Sequence, residues 1–231
     1  MYILHYAPDN ASLIVRLVLE ELGLPYRTAL VDRASRQQDS AAYRAAAPTG
    51  LIPALITPQG AMFETAAILL WLTDTHEGLA PQPGAPDRPA FLSWLFFASN
   101  TLHAGLRELF YPGQYAGHPA AEAAFAARTR ERVAAAFALL DRMAGRDGPA
   151  WLSPAAPSAL GYYLGCCLRW VQLYPRAGAQ WFDIAAYPAL LTIADSLQCR
   201  PAALRAAQAE GLGPAIFTRP TLACPPEGSA T

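Results

Sequence analysis

The chain has 231 residues, 53% of them hydrophobic, and a formal charge of -1, a length that accommodates one large domain or two small ones. So small a charge gives no general attraction to nucleic acid or anionic lipid, both of which need clustered cations. Every basic residue is arginine, which excludes Schiff-base chemistry on a lysine.

The first half alternates between strand and helix. Tyr2 to Tyr6 reads as a short strand, too short for the apolar region of a signal peptide. Val15, Val18, Leu19 and Leu22 then recur at i, i+3, i+4 and i+7, marking a helix's buried stripe, with Gly23 placed for a left-handed cap and Pro25 beyond it. Thr28 to Val31 is a second strand and Ser40 to Ala47 a helix stopped by Pro48. Ala54 to Thr57 is a third strand, and Pro58, Gln59 and Gly60 turn into a fourth, Ala61 to Phe63. Ile68, Trp71 and Leu72 share one face of a closing helix. The order is βαβ, then ββα.

Leu79 to Pro86 carries three prolines and a glycine, which end regular structure. From Arg88 only helical periodicity is found. Arg88 to about Leu109 and Pro119 to about Met143 read as long helices, followed by Ser158 to Tyr174, Tyr187 to Leu197 and Ala202 to Glu210. The change of pattern divides the chain into residues 1–78, a linker 79–87 and an all-helical part 88–231. The tail after Pro220 reads as poorly ordered. Phe91 to Leu106 is interrupted by Ser93, Ser99, Asn100 and His103, and no run reaches membrane-spanning length; a cytoplasmic protein with no membrane partner is expected. Cysteines 166, 167, 199 and 224 have neither metal-ligand spacing nor a disulfide framework and read as reduced, buried residues.

Several local patterns raise a resemblance. Pro48 to Leu72, PTGLIPALITPQGAMFETAAILLWL, is similar to the proline, glycine, x-Pro-x-Leu and Glu-Ser/Thr-x-Ala-Ile pattern of glutathione transferases. His5 to Tyr26 resembles that family's opening strand, loop and helix, and Tyr187 to Leu204 its penultimate helices. The resemblance covers nearly the whole chain and implies a thioredoxin-like α/β domain followed by an all-α domain, a homodimer, glutathione as co-substrate and no metal.

It also implies site roles. A cis Ile52-Pro53 bond would turn the backbone of Ile52 toward the cysteine of glutathione. Glu64 and Thr65, where a strand meets a helix, would hold the charged γ-glutamyl end through acidic charge and helix-start donors. Arg36, or Arg33 near it, would take the glycine carboxylate, and His103 and Tyr111 would line the second-substrate pocket. The central task is to stabilise a thiolate, since a free thiol ionises near a pKa of about 8.5 and a helix N-terminus plus one donor lowers that value. Asn10 and Ser12 are the alternatives for this donor, with Tyr6 a weaker rival; Ala11 stands where many bacterial relatives carry cysteine, which argues against cysteine-dependent exchange.

Gly161 likewise replaces the acid that would complete a capping box with Ser158, at an expected cost near ~1 kcal/mol. The reading is a glutathione transferase acting on an apolar electrophile or peroxide. Its alternatives are a non-catalytic binding protein on the same fold, a glutathione-dependent disulfide-bond reductase and an interaction module.

Overall fold

The computed structural model describes residues 1–230 apart from 147 and 177. Strands β1 (Tyr2–Tyr6), β2 (Tyr26–Leu30), β3 (Ala54–Thr57) and β4 (Gly60–Phe63) form one sheet in the order β2-β1-β3-β4. β1 runs parallel to β2 and antiparallel to β3, with Leu4 opposite Leu55, and β4 returns antiparallel to β3. Helix α1 (Ser12–Glu21) joins the parallel pair, and the short α2 (Ala41–Arg44) and longer α3 (Thr65–Thr75) flank the β3–β4 hairpin. This is a thioredoxin-like βαβ-ββα arrangement. The expected helix 40–47 contracts to α2 because residue 47 precedes Pro48, which disfavours helical backbone.

From Arg88 onward the described residues carry helices only: α4 (Arg88–Phe97), α5 (Ala104–Phe110), α6 (Glu122–Arg146), α7 (Ala159–Leu173), α8 (Pro188–Gln198) and α9 (Pro201–Glu210), with short 3₁₀ turns between them. The expected single helix from Arg88 is instead α4 and α5 joined by a wider π-helical stretch, Ala98–His103. Such a stretch inserts an extra residue into the turn and rotates the side chains that follow. No helix among the described residues is long and apolar enough to cross a membrane.

Helix α1 unites the halves. Its apolar stripe, Leu13 to Leu19, is buried in a core cluster continuous with Phe91, Phe137, Tyr162 and Leu197 of the helical part. Its polar side is tied to α9 and its approach by Arg16–Glu210 at 2.7 Å, Glu20–Arg205 at 2.6 Å and Glu21–Arg200 at 2.6 Å. Arg88 makes a comparable tie between α4 and α3, bonding Asp74 at 2.9 Å and the Pro81 carbonyl at 2.6 Å.

Residues 221–230 are tied to the body by hydrogen bonds, contrary to the poor order expected from their composition. Cys224 donates its N–H to the Gly211 carbonyl at 2.8 Å, Arg169 bonds the Thr221 carbonyl at 2.9 Å, and the Tyr6 phenol donates to Glu227. Two glycines permit this path: Gly211 caps α9 at φ 63° and a side chain there would strike the Cys224 carbonyl, while Gly228 at φ 72° passes against Leu30 and Pro8. The cysteines also differ from expectation in part. Cys166 and Cys167 are buried in α7, but Cys199, just past α8, and Cys224, in the tail, are exposed.

Candidate functional site

A cleft of about 920 Å³ opens between the sheet's connecting loops and the helical part, a volume usual for small-molecule sites of ~300–1,000 Å³. One wall comes from the first half. Here Asn10 and Ala11 precede α1, Ile52 and Pro53 enter β3, and Phe63, Glu64 and Thr65 pass from β4 into α3. The opposite wall is built by the α4–α5 helix and α7, with Ala230 of the tail at its margin.

The first wall offers mainly element ends. The Ile52-Pro53 bond is cis, as expected from the resemblance. Glu64 holds φ 69° and ψ 113°, a backbone that residues other than glycine rarely adopt, and its carbonyl accepts the first helical bond, from Ile68, at 3.0 Å. The N–H groups of the preceding first turn of α3 therefore have no helical acceptor, and they make a ready receptor for a negative group. Asn10 uses its side-chain oxygen to accept the Ala11 N–H at 2.8 Å, which leaves its amide NH₂ as a donor at the cleft.

Ser12 is elsewhere. It is wholly buried, donating to the Ala7 carbonyl at 3.0 Å and accepting the Ala7 N–H at 3.3 Å. Its expected alternative role as a donor in the cleft is corrected: both hydrogen-bonding capacities brace the loop before α1. Tyr6 is buried too, its phenol turned to Glu227 and pushed to a higher pKa chiefly by burial.

Asp9, not singled out from sequence, anchors this loop. Its backbone sits at φ 50°, and its N–H donates to Glu210 at 2.8 Å. Its carboxylate receives the Nε–Nη2 edge of the Arg169 guanidinium, at 2.7 and 2.9 Å, the Trp170 indole N–H at 2.8 Å and the Tyr174 hydroxyl at 3.2 Å. Arg169 and Asp9 are fully enclosed, so the pair's attraction offsets a large desolvation cost and removing either partner would strand a charge. Burial raises the Glu210 carboxyl to about 6, against the opposing pull of Arg16 and the Asp9 N–H. One signal was available in the sequence: Arg169 is the sole charged residue in the apolar run of α7, and buried arginines are seldom unpaired.

His103 stands at the end of the π-helical stretch. Its Nδ1 lies 2.9 Å from the Tyr163 hydroxyl and its ring stacks on Trp170, with centroids 5.4 Å apart at 28°. Burial, with a smaller contribution from the nearby Arg107 cation, lowers its pKa to about 4; it is neutral at physiological pH and unsuited to act as a strong base. Tyr111, just past α5, accepts from Arg33 Nη2 at 3.2 Å. Arg36 lines the cleft but is largely exposed and engages Asp39 at 2.8 Å, its neighbour in the following 3₁₀ turn. Arg33 reaches further in, bonding the Ala230 carbonyl at 2.7 Å as well as Tyr111. None of the four cysteines lines the cleft, and burial pushes the Cys166 and Cys167 thiols well up.

Residues 11–75 match the family model described as the N-terminal domain of glutathione S-transferase. A sphingomonad glutathione S-transferase, solved in complex with glutathione, is 33% identical and superimposes with a TM-score of 0.73, covering 91% of this chain and 100% of that one. The chain belongs to the glutathione transferase family. Its fold is therefore that of glutathione transferases. Other relatives of this transferase family member include glutathione S-transferase GST-4.5 of Xanthomonas campestris pv. campestris, 28% identical over 211 residues, 90% of this chain and 98% of the relative. The disulfide-bond oxidoreductase YfcG of Escherichia coli is also 28% identical, over 86% of this chain and 91% of the relative. The chain keeps half of the capping box at α7: Ser158 Oγ accepts the Gly161 N–H at 2.9 Å. An added Cβ at Gly161 would lie 3.0 Å from Leu197 and 3.1 Å from Ser158 Oγ, so close packing occupies the place of the missing acid.

Proposed function

We propose that the cleft binds glutathione and activates its thiol for attack on an electrophile. In this reading residues 1–78 form the glutathione-binding unit, 79–87 the linker and 88–231 the helical unit that receives the second substrate. The observation that carries it is convergence: the cis Ile52-Pro53 turn, the open first turn of α3 beside Glu64 and Thr65, and the Asn10 amide all border one wall.

The roles follow from the groups present. The α3 donors suit the γ-glutamyl carboxylate, the Glu64 carboxylate suits its ammonium, and the Ile52 backbone suits the cysteine's amide. The Asn10 NH₂ donates to the sulfur, and that bond strengthens as charge develops, so the anion gains more than the thiol. The thiolate then forms the carbon–sulfur bond while the leaving group departs with its electron pair. Arg36, at the exposed rim, is a candidate for the glycine carboxylate. A symmetric homodimer belongs to the same reading and is measured by sedimentation.

A second reading, glutathione-dependent reduction of disulfides, is favoured by the likeness to YfcG. Because no cysteine borders the cleft, bound glutathione would itself attack the disulfide, forming a mixed disulfide and releasing a thiol, and a further glutathione thiolate would resolve it. The deciding experiment is a thiolate-absorbance titration of bound glutathione from pH 5 to 9, followed by turnover with an aryl halide and with a dithiol-releasing disulfide. Ionisation below the free thiol's range, lost in Asn10→Ala, is expected. Binding without any shift in ionisation would leave a non-catalytic binding protein.

A further inference from the structure

The second wall of the cleft is cationic at one place. Arg107, on α5, holds its guanidinium carbon 5.9 Å from the centre of the Tyr111 ring and donates through Nε to the Tyr115 hydroxyl at 2.6 Å. Arg33 meets the same Tyr111 at its hydroxyl. Two guanidinium groups thus flank one phenol, one at its face and one at its oxygen.

Their partners are all neutral. Arg33 bonds a phenol and the Ala230 carbonyl, and Arg107 a phenol; among the described residues no carboxylate pairs with either. The other charges bordering the cleft are accounted for differently: Arg36 has Asp39, and Asp9 has Arg169. Glu64 lies on the opposite wall, at the start of α3. The Arg107 charge also reaches inward, since it adds to burial in disfavouring protonated His103. Beside it, the stacked His103 and Trp170 rings present an aromatic surface.

A guanidinium bound through Nε alone still presents the NH₂ edge that fits a carboxylate in bidentate fashion. We infer that the second substrate carries an anionic group, a carboxylate on an aromatic body, held by Arg107 with Arg33 adding to the local positive charge. This inference rests on the glutathione reading above. It replaces a purely apolar electrophile by one with a charged end, and it makes Arg107 a determinant of specificity.

Conjugates of glutathione separate the two readings, because they need no turnover. Binding of S-benzylglutathione and S-(4-carboxybenzyl)glutathione is measured by calorimetry at low and high salt, with the wild-type chain, Arg107→Gln and Arg33→Gln. The carboxylated conjugate is expected to bind about tenfold more tightly to the wild-type chain at low salt, as one charge-assisted contact allows, with the advantage shrinking as salt screens it. In Arg107→Gln the ratio of the two dissociation constants should fall to about one, and in Arg33→Gln it should fall in part. Equal binding to the wild-type chain, or a ratio that survives Arg107→Gln, overturns the inference and leaves the glutathione reading standing. Equal weakening of both conjugates in Arg107→Gln overturns it too, by assigning Arg107 to the peptide's own glycine carboxylate. If neither conjugate binds, the glutathione reading falls and takes this inference with it. The wild-type ratio and its salt dependence decide the matter even if the variant fails to fold.

Discussion

The two walls of the cleft are built by different means. The first wall presents backbone groups and short side chains at the ends of strands and helices: the Asn10 loop, the Ile52-Pro53 turn and the α3 start. The second presents long side chains from helices far apart in sequence, among them His103, Arg107 and Trp170. Element ends carry unpaired donors by construction, so the first wall offers donors through geometry common to the fold. The second wall offers side-chain identity, and under the proposed function it is there that specificity would be set.

The most severe way to break this comparison is to remove the link between the walls. Arg169 of α7 holds Asp9 of the first wall's loop, so Arg169→Met should cost about 3–5 kcal/mol by leaving Asp9 buried without its cation. Urea unfolding measures this. A loss below about 1 kcal/mol would show that Trp170 and Tyr174 satisfy the carboxylate by themselves.

A smaller effect concerns the second wall and pH. The folded-state pKa of His103 lies near 4, below its ordinary value of 6.5. Its neutral form therefore contributes stability that is fully present above pH 6.5 and is lost as pH falls through 4, roughly 3 kcal/mol in all. Over part of that window Glu210 acts in the opposite sense: its raised value, about 6, gives a contribution present below the ordinary glutamate range and lost as pH rises through 6. Replacing His103 by Gln should flatten the acid-side decline measured by unfolding at stepped pH, while Glu210→Gln should steepen it. An unchanged pH profile in His103→Gln would remove the histidine from this account.

The first wall is tested by Asn10→Ala. Losing one hydrogen bond to a charged sulfur is worth about 1.5–3 kcal/mol, so kcat/KM should drop roughly 10- to 100-fold and the bound thiol should titrate nearer its free value. Ser12→Ala sharpens the contrast. It should leave the thiol's ionisation in place and lower stability by about 1–2 kcal/mol, because the Ala7 backbone groups lose their partner. The smallest effect is expected far from the cleft: Ser158→Ala removes the remaining half-cap of α7 at a cost of about 1 kcal/mol, with glutathione binding unchanged by calorimetry.

Much of the first half was legible because its elements obey short-range rules. The stripe Val15, Val18, Leu19 and Leu22 has a helical period, and Gly23 and Pro25 end that helix. Strands β1 and β3 came within their bounds, and β2 and β4 within two residues. The π-helical stretch that turns His103 toward Trp170 left no mark, since Ala98–His103 holds neither proline nor glycine. Ser12 and Asn10 could not be separated either. Both types favour helix starts, and only the fold determines which one meets the Ala7 backbone.

The sequence by itself determined the order of elements, the class change after the proline-rich link and the segments that form the first wall, because local backbone preferences and apolar periodicity act within a few residues. The tertiary structure alone decided the rest. It buried Asp9 against Arg169 across 160 positions of chain, laid the tail along Tyr6 and Arg33, and left Arg107 facing the cleft with a phenol for a partner. Those outcomes depend on where a charge finds its counterpart once the core has closed, and a buried charge accepts whichever partner the packing brings within reach.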